Sequence, residues 1–272
     1  MDGPPASGIG PDPRDRSRRL SIVDLTWVGH ATTLIDVNGY RVLTDPLMTK
    51  RVAHLRRRRP DPAPETFDVD LVLLSHVHLD HLHLPSLRRL RPSVRMLTPV
   101  GSARLLRKAG FADVTEIAVG DRIESGPVTV EVVPAAHKRG RGPHSRVSAD
   151  PVGFIVNGAG RRIYFPGDTD LFDAMADFGD IDVALLPIWG WGSTLGEGHL
   201  DPRRAAAATG LIKPGLLVPI HWGTYAPEDG RRRLPRWFDT PPTDLRRELE
   251  ATDELHRLGL VEPGESITVT SR

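Results

Sequence analysis

Read from its start, the chain shows no apolar run until Leu20, and its first 19 residues are rich in Pro, Gly, Asp and Arg. Such a stretch cannot bury enough surface to order itself, so residues 1–19 are expected to form a disordered N-terminal tail. Beyond it, Leu25-Thr26-Trp27-Val28, Thr33-Leu34-Ile35-Asp36-Val37 and Tyr40-Arg41-Val42-Leu43-Thr44 read as strands. The Asn38-Gly39 pair between the last two predicts a tight hairpin, because both residues tolerate positive φ. Buried-strand runs follow at Val69–Leu74, Met96–Val100, Val183–Pro187 and Leu216–Ile220, with an alternating strand at Val128–Val133. A second hairpin is expected where Val152–Val156 and Arg162–Phe165 flank Asn157-Gly158-Ala159-Gly160, and a final strand over Glu265–Thr270. Helices are expected over Leu84–Leu90, Gly101–Gly110, Pro202–Gly210 and Asp244–Leu258. The basic, proline-containing segment Lys50–Pro64 reads as a long exposed loop. Together these elements predict an α/β protein with helices packed outside sheets. We expect residues 20–272 to form one domain of two halves, about 20–150 and 151–272.

Four of the apolar runs end in a potential metal ligand: Leu74 precedes His76, Val133 precedes His137, Phe165 precedes Asp168, and Ile220 precedes His221. Strand ends are where layered α/β folds gather functional groups. The segment Ser75-His76-Val77-His78-Leu79-Asp80-His81 is the densest such cluster. In extended backbone His76 and His78 point the same way, so two imidazoles can serve one ion. A turn after them would aim Asp80 and His81 at a neighbouring position. The count then divides into His76, His78 and His137 for one ion and Asp80, His81 and His221 for the other. Asp168 would be shared. Between two such cations a bridging water would be acidified to hydroxide near neutral pH. Imidazole and carboxylate donors suit zinc first, with iron or manganese also compatible.

Composition narrows the chemistry. With no cysteine, disulfides, thiolate zinc sites and a cysteine nucleophile are excluded, while 11 histidines are available. A formal net charge of +1 gives no global attraction to nucleic acid. No apolar stretch is long enough to span a membrane or to act as a secretory leader, so the expectation is a cytoplasmic protein without a membrane span.

Several further residues are candidates. Asp45, after a strand, could orient a ligand histidine or simply make a turn with Pro46. His30 could sit behind the ligands or pack beneath them. His199, in Gly198-His199-Leu200-Asp201-Pro202, could contact substrate or protonate a leaving group, or be an exposed loop histidine. Trp189 and Trp191 could wall a pocket or anchor their glycine-rich loop. Lys138, Arg139 and Arg141, directly after His137, could capture an anionic substrate, as could Arg56–Arg59; charge runs are equally often solvated surface.

At His76, His78, Asp80 and His81 the chain resembles the metallo-β-lactamase superfamily, whose His-x-His-x-Asp-His motif these residues match. His137, Asp168 and His221 match the later ligands of its dinuclear members in order and context. The resemblance implies a four-layer αββα sandwich with the metals at one edge, over about residues 20–272. Trp27–Thr32, Leu43–Pro46 and Gly198–Pro202 resemble the branch containing N-acylphosphatidylethanolamine-hydrolysing phospholipase D and the ascorbate-6-phosphate lactonases. True β-lactamases lack an aspartate at the position of Asp80, which argues against that activity. The expected function is a dinuclear metal-dependent hydrolase with Asp80, Asp168 and His199 among its catalytic residues. Its expected substrate is a small anionic phosphodiester. A lactonase or esterase, and a non-catalytic metal-binding module, are the competing readings.

Overall fold

The computed structural model describes residues 22–142, 145–228 and 234–270; the expected tail at residues 1–19 lies outside the described residues. Strands β1 (Ile22–Gly29), β2 (Thr32–Val37) and β3 (Tyr40–Thr44) form an antiparallel meander. The turn between β2 and β3 is Asn38-Gly39 alone, with φ of 53° and 90°, and Val37 stands opposite Tyr40. That is the expected two-residue hairpin.

Where a loop was expected over Lys50–Pro64, the chain instead folds a small hairpin, β4 (Arg51–Val52) and β5 (Leu55–Arg57). Next come β6 (Leu71–Leu73), helix α1 (Leu84–Leu87), β7 (Arg95–Pro99), helix α2 (Ala103–Lys108) and β8 (Val114–Ile117). Strands β6, β7 and β8 add in parallel beyond β3.

The second sheet begins with β9 (Arg122–Ser125), β10 (Val128–Pro134), β11 (Val152–Gly158) and β12 (Arg161–Phe165), all antiparallel. It is completed by β13 (Val183–Pro187) and β14 (Leu216–Ile220), both parallel, with α3 (Pro202–Ile212) crossing between them. Then β15 (Tyr225–Pro227) pairs with β5, α4 (Pro241–Ala251) follows, and β16 (Ser266–Thr270) returns to pair with β1.

The two large sheets thus have the orders β16-β1-β2-β3-β6-β7-β8 and β14-β13-β12-β11-β10-β9. A boundary near residue 150 does not follow them: β9 and β10 lie before it yet belong to the second sheet, and β16 lies after it yet belongs to the first. Helices α1 and α2 are shorter than expected, α3 runs on to Ile212 past the expected end at Gly210, and α4 is shifted toward the N-terminus of the expected Asp244–Leu258. The last one stops at Ala251 because Asp253 takes φ of 60°, and a separate 3₁₀ turn covers Leu255–Arg257.

Alternation explains the layering. In β6, Leu71 and Leu73 face the core between the sheets, whereas Val72 packs outward with Leu87 of α1 and Leu106 of α2. On the far side, Ala205 of α3 and Leu245 and Leu249 of α4 pack onto the second sheet. The result is an αββα sandwich in which β6 is apolar on both faces, as expected for a strand covered by layers on either side. Each fully buried Leu or Val contributes roughly 1.5–3 kcal/mol, so the strands that carry the site are among the best-anchored parts of the chain. No helix among the described residues is long and apolar enough to cross a membrane.

Candidate metal centre

All seven candidate ligands converge at one edge of the sandwich. His76 follows β6, His137 follows β10, Asp168 follows β12 and His221 directly follows β14. Asp45 and His30 come from the ends of β3 and β1. Three of these residues hold left-handed backbone, with φ of 55° at His30, 32° at Asp45 and 63° at His221. Asp and His tolerate that region better than branched residues, and such strain is kept where geometry matters more than comfort.

The donors fall into two groups. His76 Nε2 lies 3.0 Å from His78 Nδ1, and His137 Nε2 lies 3.0 Å from the same atom. In the second group His81 Nε2 is 3.3 Å from His221 Nε2. Asp168 spans both, with Oδ1 3.1 Å from His221 Nε2 and Oδ2 3.2 Å from His81 Nε2 and 3.9 Å from His137 Nε2. Asp80 Oδ2 lies 3.9 Å from His81 Nε2.

The surrounding bonds fix which nitrogen carries the proton. His81 Nδ1–H donates to Asp45 Oδ2 (2.7 Å), His137 Nδ1–H to the Gly198 carbonyl (2.5 Å) and His221 Nδ1–H to the Trp189 carbonyl (2.8 Å). Asp45 also accepts from the Ser75 amide (2.7 Å) and the Ser75 hydroxyl (2.5 Å). That hydroxyl in turn accepts from His76 Nδ1–H at 2.9 Å. Asp45 therefore reaches a donor of each group, His81 directly and His76 through Ser75. His30 Nε2–H donates to Asp80 Oδ2 (3.0 Å), and its ring lies 3.8 Å from that of His221.

Burial pushes His221 down to about 3 and His137 down to about 4, so both are neutral with an Nε2 lone pair aimed inward. Burial alone would raise Asp168, but His81 and His199 beside it, both themselves raised, hold its carboxyl well below the usual range. Its Oδ1 is buried and receives no hydrogen bond, facing the lone pair of His221. A carboxylate oxygen opposed to an imidazole lone pair in a dry site is costly unless a cation lies between them. Donors on one tetrahedral zinc, each at ~2.0–2.1 Å, would stand roughly 3.3 Å apart, and the spacings above bracket that value. The residues fit divalent metal.

A family model described as a beta-lactamase superfamily domain matches residues 40–222. The chain belongs to the metallo-β-lactamase superfamily. It is 31% identical over 226 residues to N-acyl-phosphatidylethanolamine-hydrolyzing phospholipase D 1 of Caenorhabditis elegans, a match covering 74% of this chain but 64% of that protein. It is also 31% identical over 247 residues to a metal-dependent hydrolase of Methanopyrus kandleri, covering 89% of this chain and 98% of the relative. The solved structure of Igni18, a metallo hydrolase from Ignicoccus hospitalis, shares the fold with a TM-score of 0.69 at 24% identity, covering 92% of this chain and 100% of that one. This chain is thus a metal-dependent hydrolase of the metallo-β-lactamase superfamily.

Its donors open onto a cavity of about 440 Å³ whose floor includes His78, Asp80, Asp168 and His221. His199 lines it too: Nδ1–H donates to the Gly196 carbonyl (3.1 Å), leaving Nε2 3.5 Å from Asp168 Oδ2. Trp191 and Arg141 line the cavity, although Arg141 Nη1–H groups already donate to the Val77 and Leu82 carbonyls at 2.9 and 3.0 Å. Lys138 and Arg139 do not reach it. Both are exposed, and Arg139 pairs with Asp150, because the chain turns outward after His137. Trp189 is not on the cavity either; its ring packs on the inter-sheet core and its Nε1–H donates to the Gly192 carbonyl (3.0 Å).

Of the run Arg56–Arg59, Arg57, Arg58 and Arg59 brace backbone and Arg56 pairs with Glu228, and none lines the cavity. Arg57 is only 7% exposed and donates to the Val28 and Pro60 carbonyls, while Arg59 donates to the Gly223 carbonyl. Sequence reasoning missed the β4–β5 hairpin as a cavity wall, and it gave Ser75 no role. A hydroxyl residue directly before a ligand histidine is the signal that could have found the latter.

Proposed function

We propose that this hydrolase is a dinuclear, zinc-dependent phosphodiesterase acting on a small anionic substrate. The observation that carries the reading is Asp168, a buried carboxylate between two sets of imidazole donors with one oxygen that no protein donor satisfies. His76, His78 and His137 would hold one ion and Asp80, His81 and His221 the other, with Asp168 shared. The pair supplies Lewis acidity when bound, acidifying water and offsetting negative charge that develops on the attacked centre.

The chain's own residues do the rest. Asp45, Ser75, Gly198 and Trp189 lock the imidazole tautomers, so that lone pairs and not protons face the reacting centre. His30 orients Asp80. His199 turns Nε2 toward Asp168 and the cavity, where it can hand a proton to a leaving oxygen. Desolvation around the buried donors strengthens each of these contacts.

Purified protein should carry close to two zinc ions per chain by elemental analysis. Metal-loaded enzyme should cleave bis(p-nitrophenyl) phosphate, and Asp168→Ala should lower that turnover by about a thousandfold or more. One ion per chain would defeat the dinuclear reading. Cleavage of lactones without cleavage of the phosphodiester would defeat the substrate class.

A further inference from the structure

We propose that the wall facing the metal donors is a binding subsite for a compact apolar substituent of the substrate, a ring or a short alkyl group, gripped by Trp191 and Leu79. The inference rests on the anion-at-the-metals reading above and adds what the non-reacting part of the substrate must be.

The observations are of three kinds. First, Trp191 and Leu79 are among the few large hydrophobic side chains left exposed on the described residues, at 39% and 48%, and both line this cavity. Leu79 stands between two candidate ligands, His78 and Asp80, so an apolar surface sits directly beside the floor. Exposed apolar area costs free energy that an apolar substituent recovers by covering it.

Second, the wall is built rather than loose. Val52 and Leu55, which line the same cavity, are buried in a small core with Leu47 and Tyr225, and the Tyr225 hydroxyl donates to the Thr49 carbonyl at 2.7 Å. Leu195 joins them from the opposing loop. Third, the His54 ring meets Trp191 edge to face, at 5.2 Å between centroids and 77° between planes, joining the β4–β5 hairpin to the loop that carries Trp191. A space of about 440 Å³ must take both the anionic head and its substituent, which suits a ring and not a long chain.

Phosphonates separate head from substituent without being hydrolysed. By calorimetry on zinc-loaded protein, phenylphosphonate should bind about tenfold tighter than methylphosphonate, the gain expected when part of a ring leaves water. In Trp191→Ala the preference should fall to about twofold or less, with methylphosphonate affinity and zinc content unchanged. Leu79→Ala should reduce it by a smaller factor. Equal affinities in the wild type would overturn the proposal, as would a phenyl preference untouched by either variant. Dodecylphosphonate binding much tighter than phenylphosphonate would overturn the compact-substituent claim. If neither small phosphonate binds, the anion reading fails and the wall is tested alone: benzyl alcohol should give saturation-transfer NMR signals that vanish in Trp191→Ala, and no signal in the wild type overturns the subsite.

Discussion

On the floor of the cleft, His137, Asp168 and His221 each lie no more than three residues past a strand end, and the Nδ1 atoms of His137, His221, His81 and His76 are engaged by two carbonyls, a carboxylate and a hydroxyl in turn. On the wall, the apolar side chains other than Leu79 come from a hairpin of two and three residues per strand and from the glycine-bearing stretch Gly190–Gly196, tied by backbone carbonyl contacts of arginines and one edge-to-face pair. The floor is therefore positioned by the two large sheets. The wall is positioned by side chains that reach across sequence. Placement of metal donors tolerates little error, whereas a subsite for an apolar group needs mainly shape and area.

The contrast can be broken most severely at Gly167. It holds φ of 66°, and a Cβ there would stand 2.3 Å from the Ser75 hydroxyl and 3.7 Å from Asp45 Oδ2. Gly167→Ala would displace Asp168 and the Ser75–Asp45 contacts together. We expect turnover to fall by more than about tenfold and stability by roughly 2 kcal/mol or more, read from kinetics and denaturant unfolding. Near-normal activity in that variant would show the floor to be more pliant than its packing implies.

Acid should divide floor from wall next. His137 titrates near 4 and His221 near 3 in the fold, both chiefly through burial, against 6.5 for an unperturbed histidine. As pH falls from 6.5 toward 4, the unfolded chain takes up protons that these folded residues refuse, so stability drains away across that window. His81 runs the other way: burial works against its charge, but Asp168 and Asp80 raise it, and its contribution is lost at higher pH. Chelator-treated protein should show a melting temperature that declines from pH 6.5 to 4, with the same slope in Trp191→Ala. A flat profile would contradict neutral, buried floor imidazoles.

The smallest effect is expected at the hairpin's outer face. Arg51 and Arg56 both pair with Glu228, at 2.8 and 3.0 Å, and both are more than half exposed. Arg56→Ala should cost under about 1 kcal/mol and leave turnover within about twofold. A large loss would mean that this ion-pair cluster, and not the buried Val52–Leu55 contact, holds the wall.

The same contrast governs what could be read in advance. The His76–His81 cluster is legible because its chemistry is compressed into six positions after an apolar run. The strand ends before His137, Asp168 and His221 were legible as a repeated pattern, and Asp45 makes the His81 Nδ1–H contact that an orienting role would need. The segment Lys50–Pro64 misled because its order comes from outside itself. Arg57 is buried by carbonyls at Val28 and Pro60, and β5 finds its partner in β15, with Arg57 opposite Tyr225. Charge and proline signal exposure locally; they carry no trace of a partner strand so far along the chain. Trp189 and Trp191 look equivalent in sequence, yet one serves through its carbonyl and the other through its ring.

The pairing of β16 with β1 bears on how the chain is made. Ile22 stands opposite Thr270 and Thr26 opposite Ser266, with their hydroxyls 2.7 Å apart across 240 positions of sequence. During synthesis β1 and β2 emerge together, but β16, which covers the free side of β1, follows only some 240 positions later. Until then β1 offers an open hydrogen-bonding edge carrying Val23, Leu25 and Trp27, the kind of edge on which neighbouring nascent chains pair wrongly. Synthesis thus leaves this sheet with a long interval of vulnerability, closed only when β16 docks.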